Sequence, residues 1–156
     1  MRQTFPLLAL LLTGCAIDGT PRLMAVERAA PLPASLPVAF DGEAAGEAGR
    51  VAQALAVALG TRAVASGSLD GPALLVTASR APASMGVAVE GKAGAPVRWL
   101  SPPRSPRRFE SCKPERLHAS VTAPEFAAHG EIDFCRLDET RIEALASQLA
   151  KAVRES

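Results

Sequence analysis

Tyrosine is absent from this 156-residue chain, Trp99 is its only tryptophan, and phenylalanine occurs five times. Stacking platforms for sugars or bases are therefore few. Histidine occurs twice, at His118 and His129, and each reads more simply as a surface or strand-edge side chain than as a general base. Asp133 lies close enough in sequence to orient His129, but no serine or cysteine nucleophile is placed beside it by spacing. The nucleophile-elbow pattern Gly-x-Ser-x-Gly is missing; Gly67 and Ser68 fall in a turn without it. Cys112 and Cys135 are too far apart for a Cys-x-x-Cys redox motif. Neither charge dominates, with 17 Lys and Arg against 16 Asp and Glu, which argues against a nucleic-acid partner. No cofactor motif is found, and no catalytic role is expected.

What is present begins at the N-terminus. Leu12, Thr13, Gly14 and Cys15 follow the apolar run Leu7 to Leu12 and a start carrying Arg2. A basic n-region, a short apolar segment and two small residues before a cysteine have the form of a lipobox, at which a lipoprotein signal peptidase cuts. The thiol of Cys15 would then carry the lipid. The apolar stretch Phe5 to Ile17 falls short of the roughly 20 residues that span a bilayer. The expectation is a signal peptide over 1–14 and a chain anchored in the cell envelope, facing the periplasm. Ala16 rather than Asp after the cysteine favours the outer membrane over the inner by the enteric sorting rule.

Cleavage would leave roughly 140 residues, enough for one domain with a real core. Pro21, Pro31, Pro33 and Pro37 stand among small residues without apolar periodicity, so 15–37 reads as a lipidated cysteine and an extended, proline-rich tether. The domain is then 38–156.

With Cys15 assigned to lipid, Cys112 and Cys135 remain as a pair in a compartment that permits disulfides. A bond closing that loop is worth about 3 kcal/mol. Cys112, His118, His129 and Cys135 together supply zinc-type ligands. On an extended strand, however, Cys112 and His118 lie up to about 20 Å apart, so no metal site is expected.

Within the domain, Val38 to Phe40 reads as a strand and Glu43 to Leu59 as a helix, with Val51, Ala54, Leu55, Ala58 and Leu59 on one face and Gly60 as the stop. Gly67 to Pro72 is a turn. Ala73 to Ser79 is a strand broken by Pro82, hairpinned to a second around Met85, Val87 and Val89; Val97 to Leu100 adds a third. Arg116 to Ala123 alternates Leu117, Ala119 and Val121 against polar neighbours, and Glu131 to Arg136 places Ile132 and Phe134 on one face. Pro124 and Gly130 mark the connection, and the preferred register sets Leu117 against Phe134 and Ala119 against Ile132. A register shifted by four would set Cys112 across from Cys135. Glu139 to Arg154 forms the last helix, capped by Asp138 and buried through Ile142, Leu145, Ala146, Leu149 and Val153. The predicted class is α+β: about five mainly antiparallel strands with two amphipathic helices on one face.

Between these elements, Ser101 to Arg108 carries three prolines and three arginines and cannot join a sheet interior. With Arg98 it forms a basic loop. Its plain reading is a solvated connection; its functional reading is a contact through Arg98, Arg104, Arg107 and Arg108 for anionic headgroups, since guanidinium forks fit phosphates.

The lipobox at Leu12 to Cys15, the helix ending at Gly60 followed by Ala73 to Ser79, and the stretch from Cys112 through Arg116, Leu117, Gly130 and Cys135 to the last helix resemble the small proteobacterial lipoproteins with a compact α/β domain. More loosely they resemble the outer-membrane lipopolysaccharide-assembly lipoprotein. The resemblance implies no catalytic residues. It leaves two functional expectations. One is a noncatalytic envelope lipoprotein held by its lipid, binding anionic lipid or another envelope protein; the other is a small periplasmic hydrolase or ligand-binding receptor. A flat sheet face with a basic rim would fit the first, and a deep pocket with a histidine bonded to an acid the second.

Overall fold

The structure is a computed structural model that describes residues 19–33, 35–89, 98–105 and 112–155. In chain order it forms β1 (Arg22–Arg28), β2 (Val38–Phe40), α1 (Glu47–Leu59), β3 (Ala63–Ala65), β4 (Leu74–Pro82), β5 (Val87–Val89), β6 (Arg98–Ser101), β7 (Glu115–Ala123), β8 (Phe126–Phe134) and α2 (Glu139–Arg154). Six strands make one mixed sheet in the order β1-β8-β7-β4-β2-β3, and β5 and β6 make a separate ribbon. The α+β class is as predicted. Neighbours from β1 to β4 are antiparallel, whereas β2 runs parallel to both β3 and β4.

Alternation in the strands decides which face is buried. Leu117, Ala119 and Val121 of β7 and Phe126, Ala128, Ile132 and Phe134 of β8 belong to one core with Val51 and Leu55 of α1 and Ile142, Leu145 and Leu149 of α2. The two helices lie against each other, α1 over β2 and β4 and α2 over β8 and β1. Ile142, Leu145 and Leu149 have no exposed surface, a burial worth about 1.5–3 kcal/mol for each side chain.

Local signals explain the helix ends. Asp138 accepts a hydrogen bond from the Arg141 backbone N–H at 3.0 Å, satisfying one of the orphan donors of the first turn. Gly60 takes a left-handed φ of 71°, a conformation that glycine adopts without Cβ strain, and Thr61 N–H closes the α1 end on the Ala56 carbonyl at 2.9 Å. The predicted start of α1 at Glu43 is four residues early. Residues 43–46 form a turn closed by the Gly46 N–H on the Glu43 carbonyl at 3.0 Å. The helix then passes so close to that turn that a Cβ on Gly49 would sit 2.5 Å from the Ala44 oxygen.

Four other expectations are corrected. The tether over 15–37 does not hold for Arg22–Arg28, which pairs with β8 as an edge strand; Leu32 and Leu36 also pack on the core. Both ends of β1 are fastened: Arg22 bonds the β8 carboxylates, and Arg28 donates to the Ala152 and Glu155 carbonyls at the negative end of the α2 dipole. Pro82 does not break its strand before joining it. Past Val76, β4 has no partner on the β2 side among the described residues, so a missing N–H is tolerated there. The β4–β5 hairpin does not form; the turn at Ala83 to Met85 redirects the chain, and β5 pairs with β6.

The β7–β8 register differs as well. Leu117 faces Ile132, Ala119 faces Gly130 and Ala123 faces Phe126, two residues from the preferred register and two from its alternative. Only Pro124 and Glu125 connect the strands, and Gly130 is inside β8 rather than in the connection. A Cβ on Gly130 would come 3.0 Å from a Leu145 methyl and 3.3 Å from a Leu149 methyl, so glycine lets α2 approach the sheet.

Candidate functional site

The sheet face opposite the helices carries the chemistry. Cross-strand register places Arg116 opposite Asp133, His118 opposite Glu131 and Ser120 opposite His129, three consecutive polar pairs on one face. Three of these six side chains are buried: Arg116 is 2% exposed, Glu131 1% and Asp133 5%.

Such burial needs near-complete pairing to be tolerated. Arg116 donates through Nε to Asp133 Oδ1 at 2.5 Å, through Nη2 to Oδ2 at 3.1 Å and through Nη1 to the Pro102 carbonyl at 2.9 Å. Glu131 Oε2 lies 3.6 Å from Arg116 Nε. From the sheet edge, Arg22 adds Nη2 at 2.7 Å from Glu131 and 3.2 Å from Asp133. Burial by itself would raise the Asp133 carboxyl. The hydrogen bond and charge of Arg116, with the charges of Arg22 and Arg104, outweigh it and hold the group below the usual carboxylate range.

His118 extends the cluster. Its Nδ1 is 3.6 Å from Glu131 Oε2, and its buried Nε2 has no hydrogen-bond partner among the described residues. Burial pulls the imidazole below its ordinary value; Glu131 and Asp133 oppose this, while Arg116 adds to it. The ring is therefore predominantly neutral at pH 7.

One step further along, Ser120 Oγ and His129 Nδ1 are 2.7 Å apart, a hydroxyl–imidazole pair of the kind that activates a nucleophile. Spacing alone missed it because it spans two strands. Asp133 does not orient His129; its carboxylate is taken by Arg116 and Arg22. The backbone around Ser120 is also paired into β4 on one side and β8 on the other, so an oxyanion would find few unengaged N–H groups in that ladder.

The basic loop is described only in part. The side chain of Arg98 and all of Arg107 and Arg108 lie outside the described residues. Arg104 is described and does not project as expected: its N–H bonds the Ala83 carbonyl at 2.9 Å, it is half-buried, and its charge acts on Asp133. The segment 102–105 thus closes over the acid cluster. Cys15 and the predicted lipobox also lie outside the described residues.

Cys112 and Cys135 form a disulfide-compatible pair, with Cα atoms 5.9 Å apart, inside the usual range for such bonds. No group of three or more His, Cys, Asp or Glu side chains able to hold a metal occurs among the described residues. At the opposite end of the sheet a cavity of about 410 Å³ is bordered by Leu32, Leu36, Leu59, Leu74, Val153 and Arg154; neither histidine reaches it. Among the described residues no helix is long and apolar enough to cross a membrane.

Comparison with known proteins gave no matching family model and no matching curated relative. The functional reading therefore rests on the sequence motif and the geometry of this chain.

Proposed function

We propose that the protein is a noncatalytic lipoprotein of the cell envelope, anchored through Cys15, facing the periplasm from the outer membrane, whose α+β domain binds an envelope component. The lipobox Leu12-Thr13-Gly14-Cys15 behind a short apolar run carries this reading. The disulfide-compatible pair of Cys112 and Cys135 supports an oxidising compartment. The acid cluster supports a structural rather than catalytic role, because its guanidiniums and carboxylates are spent on one another. Metabolic labelling with palmitate tests the anchor: the wild type incorporates label and fractionates with membranes, and Cys15→Ser does neither. A Cys15→Ser protein that keeps both label and membrane association overturns the proposal.

The second reading, a small periplasmic hydrolase or ligand-binding receptor, is favoured by one observation, the Ser120–His129 pair at 2.7 Å. A fluorophosphonate probe decides it. Labelling of the wild type that Ser120→Ala and His129→Gln both abolish would establish the hydrolase; absence of labelling sets it aside.

A further inference from the structure

The position of Gly19 orients the domain. A Cβ at this residue would stand 3.5 Å from the Asp133 carbonyl oxygen and 3.1 Å from Arg141 Nε, so the chain meets the domain where β8 ends and α2 begins. Gly19 is four peptide steps from Cys15. Even fully extended they span no more than about 14 Å. A lipid on Cys15 therefore holds this end of the domain against the bilayer, without the long spacer that a tether to residue 37 would supply.

The same end gathers β1's start, β4's end, β7's start, β8's end and the N-termini of α1 and α2. Its opposite is the Pro124–Glu125 hairpin, about 30 Å away along the nine-residue strands β7 and β8. At the Gly19 end, Lys113 and Arg136 are exposed, each adjoining one member of the Cys112–Cys135 pair. That pair brings both cations to one corner. Neither has an ion-pair partner among the described residues, whereas the neighbouring Arg141, Arg50 and Arg80 are engaged by Asp138, Glu139 and Glu115. The α1 and α2 dipoles add positive potential at this end.

Resting on the lipoprotein reading above, we propose that the corner formed by Lys113, Arg136 and the Cys112–Cys135 pair is a docking surface for anionic lipid headgroups, so that the sheet stands end-on to the membrane with the Pro124 hairpin and the 410 Å³ cavity pointing away from it. Cations near an anionic surface are attracted over about a Debye length. The short reach from Cys15 allows Lys113 and Arg136 to come within that range.

The test uses the full lipidated protein in phosphatidylcholine vesicles with and without phosphatidylglycerol. A fluorophore is placed at the near end (Thr140→Cys) or at the far hairpin (Glu125→Cys), and headgroup-attached nitroxide lipids serve as quenchers. The expected result is quenching several-fold greater at 140 than at 125, strengthened by phosphatidylglycerol, weakened by salt, and reduced by Lys113→Glu with Arg136→Glu. Equal or stronger quenching at 125, or no response to lipid charge and to the double reversal, overturns the docking surface while leaving the anchor intact. Failure of Cys15 to take palmitate, read on the same preparation by mass, removes the anchor reading and the docking surface with it.

Discussion

Replacing Asp133 by Asn isolates what the buried cluster contributes to stability. The substitution keeps the side-chain shape but removes the charge that faces Arg116 at 2.5 and 3.1 Å, leaving a guanidinium that is 2% exposed. Removing one partner of a buried ion pair typically costs about 3–5 kcal/mol. Glu131 at 3.6 Å and the Pro102 carbonyl at 2.9 Å still hold part of the charge, which puts the expected loss near the lower end, about 3 kcal/mol. Against a total stability of about 5–15 kcal/mol, that lowers the urea midpoint by about 1–3 M for ordinary denaturant slopes. A double-mutant cycle with Arg116→Met and Asp133→Leu tests whether the loss is one of pairing. Glu131 keeps Arg22 at 2.7 Å in the double variant, so the double should be less destabilised than the sum of its singles by about 2 kcal/mol.

The same carboxylate sets a pH dependence. Its folded pKa is depressed, chiefly because Arg116 overcomes burial, so the unfolded chain, titrating near 3.9, takes up its proton first on acidification. The stabilisation is complete above that value and is lost as pH falls through it towards the lower folded pKa. Asp133→Asn should flatten this part of the acid limb. Circular dichroism during urea titration reads both effects. A loss under about 1 kcal/mol, additive single variants, or an unchanged acid limb would refute the reasoning.

His118 carries the opposite electrical sign but the same direction with pH: its folded pKa is lowered mainly by burial, so stability is full above the unfolded value near 6.5 and declines as pH falls below it, and His118→Phe should remove that decline in urea midpoints measured from pH 7.5 to 5. Gly49→Ala should destabilise, although alanine normally gains about 1 kcal/mol over glycine inside a helix, because its Cβ meets the Ala44 backbone at 2.5 Å; a raised melting temperature would show that the 43–46 turn yields freely. If Cys112 and Cys135 are bonded, mild reduction or Cys112→Ser should cost about 3 kcal/mol by loop entropy, with the oxidised and reduced forms distinguished by thiol alkylation and mass.

Much of the helical layer is legible in the chain itself. In α2, Ile142, Leu145, Ala146 and Leu149 recur at helical spacing behind the cap residue Asp138, and the structure sets its ends where they were predicted. The stop of α1 at Gly60 and the alternation of Leu117, Ala119 and Val121 were equally local. These features depend on neighbours within a few residues. Period and capping chemistry therefore specify them before any tertiary contact forms.

Other features were decided only by assembly. A strand slipped by two residues presents the same side chains to the same face, so hydrophobic pattern could not choose among the β7–β8 registers; the two-residue connection at Pro124–Glu125 and the fit of Gly130 beneath Leu145 and Leu149 did. Arg22–Arg28 lacks clean alternation and stands among prolines, and it becomes a strand because β8 offers an edge, Arg22 finds carboxylates at one end and Arg28 finds backbone carbonyls at the other. In the sequence Arg116, Glu131 and Asp133 are polar positions alternating with apolar ones. They become a buried cluster because the sheet brings opposite charges within bonding distance and segment 102–105 closes over them. The proposed lipobox is a reading of consecutive residues alone, whereas the side of the domain next to Gly19 follows from where the sheet and α2 receive that residue, a long-range packing outcome that no local pattern encodes.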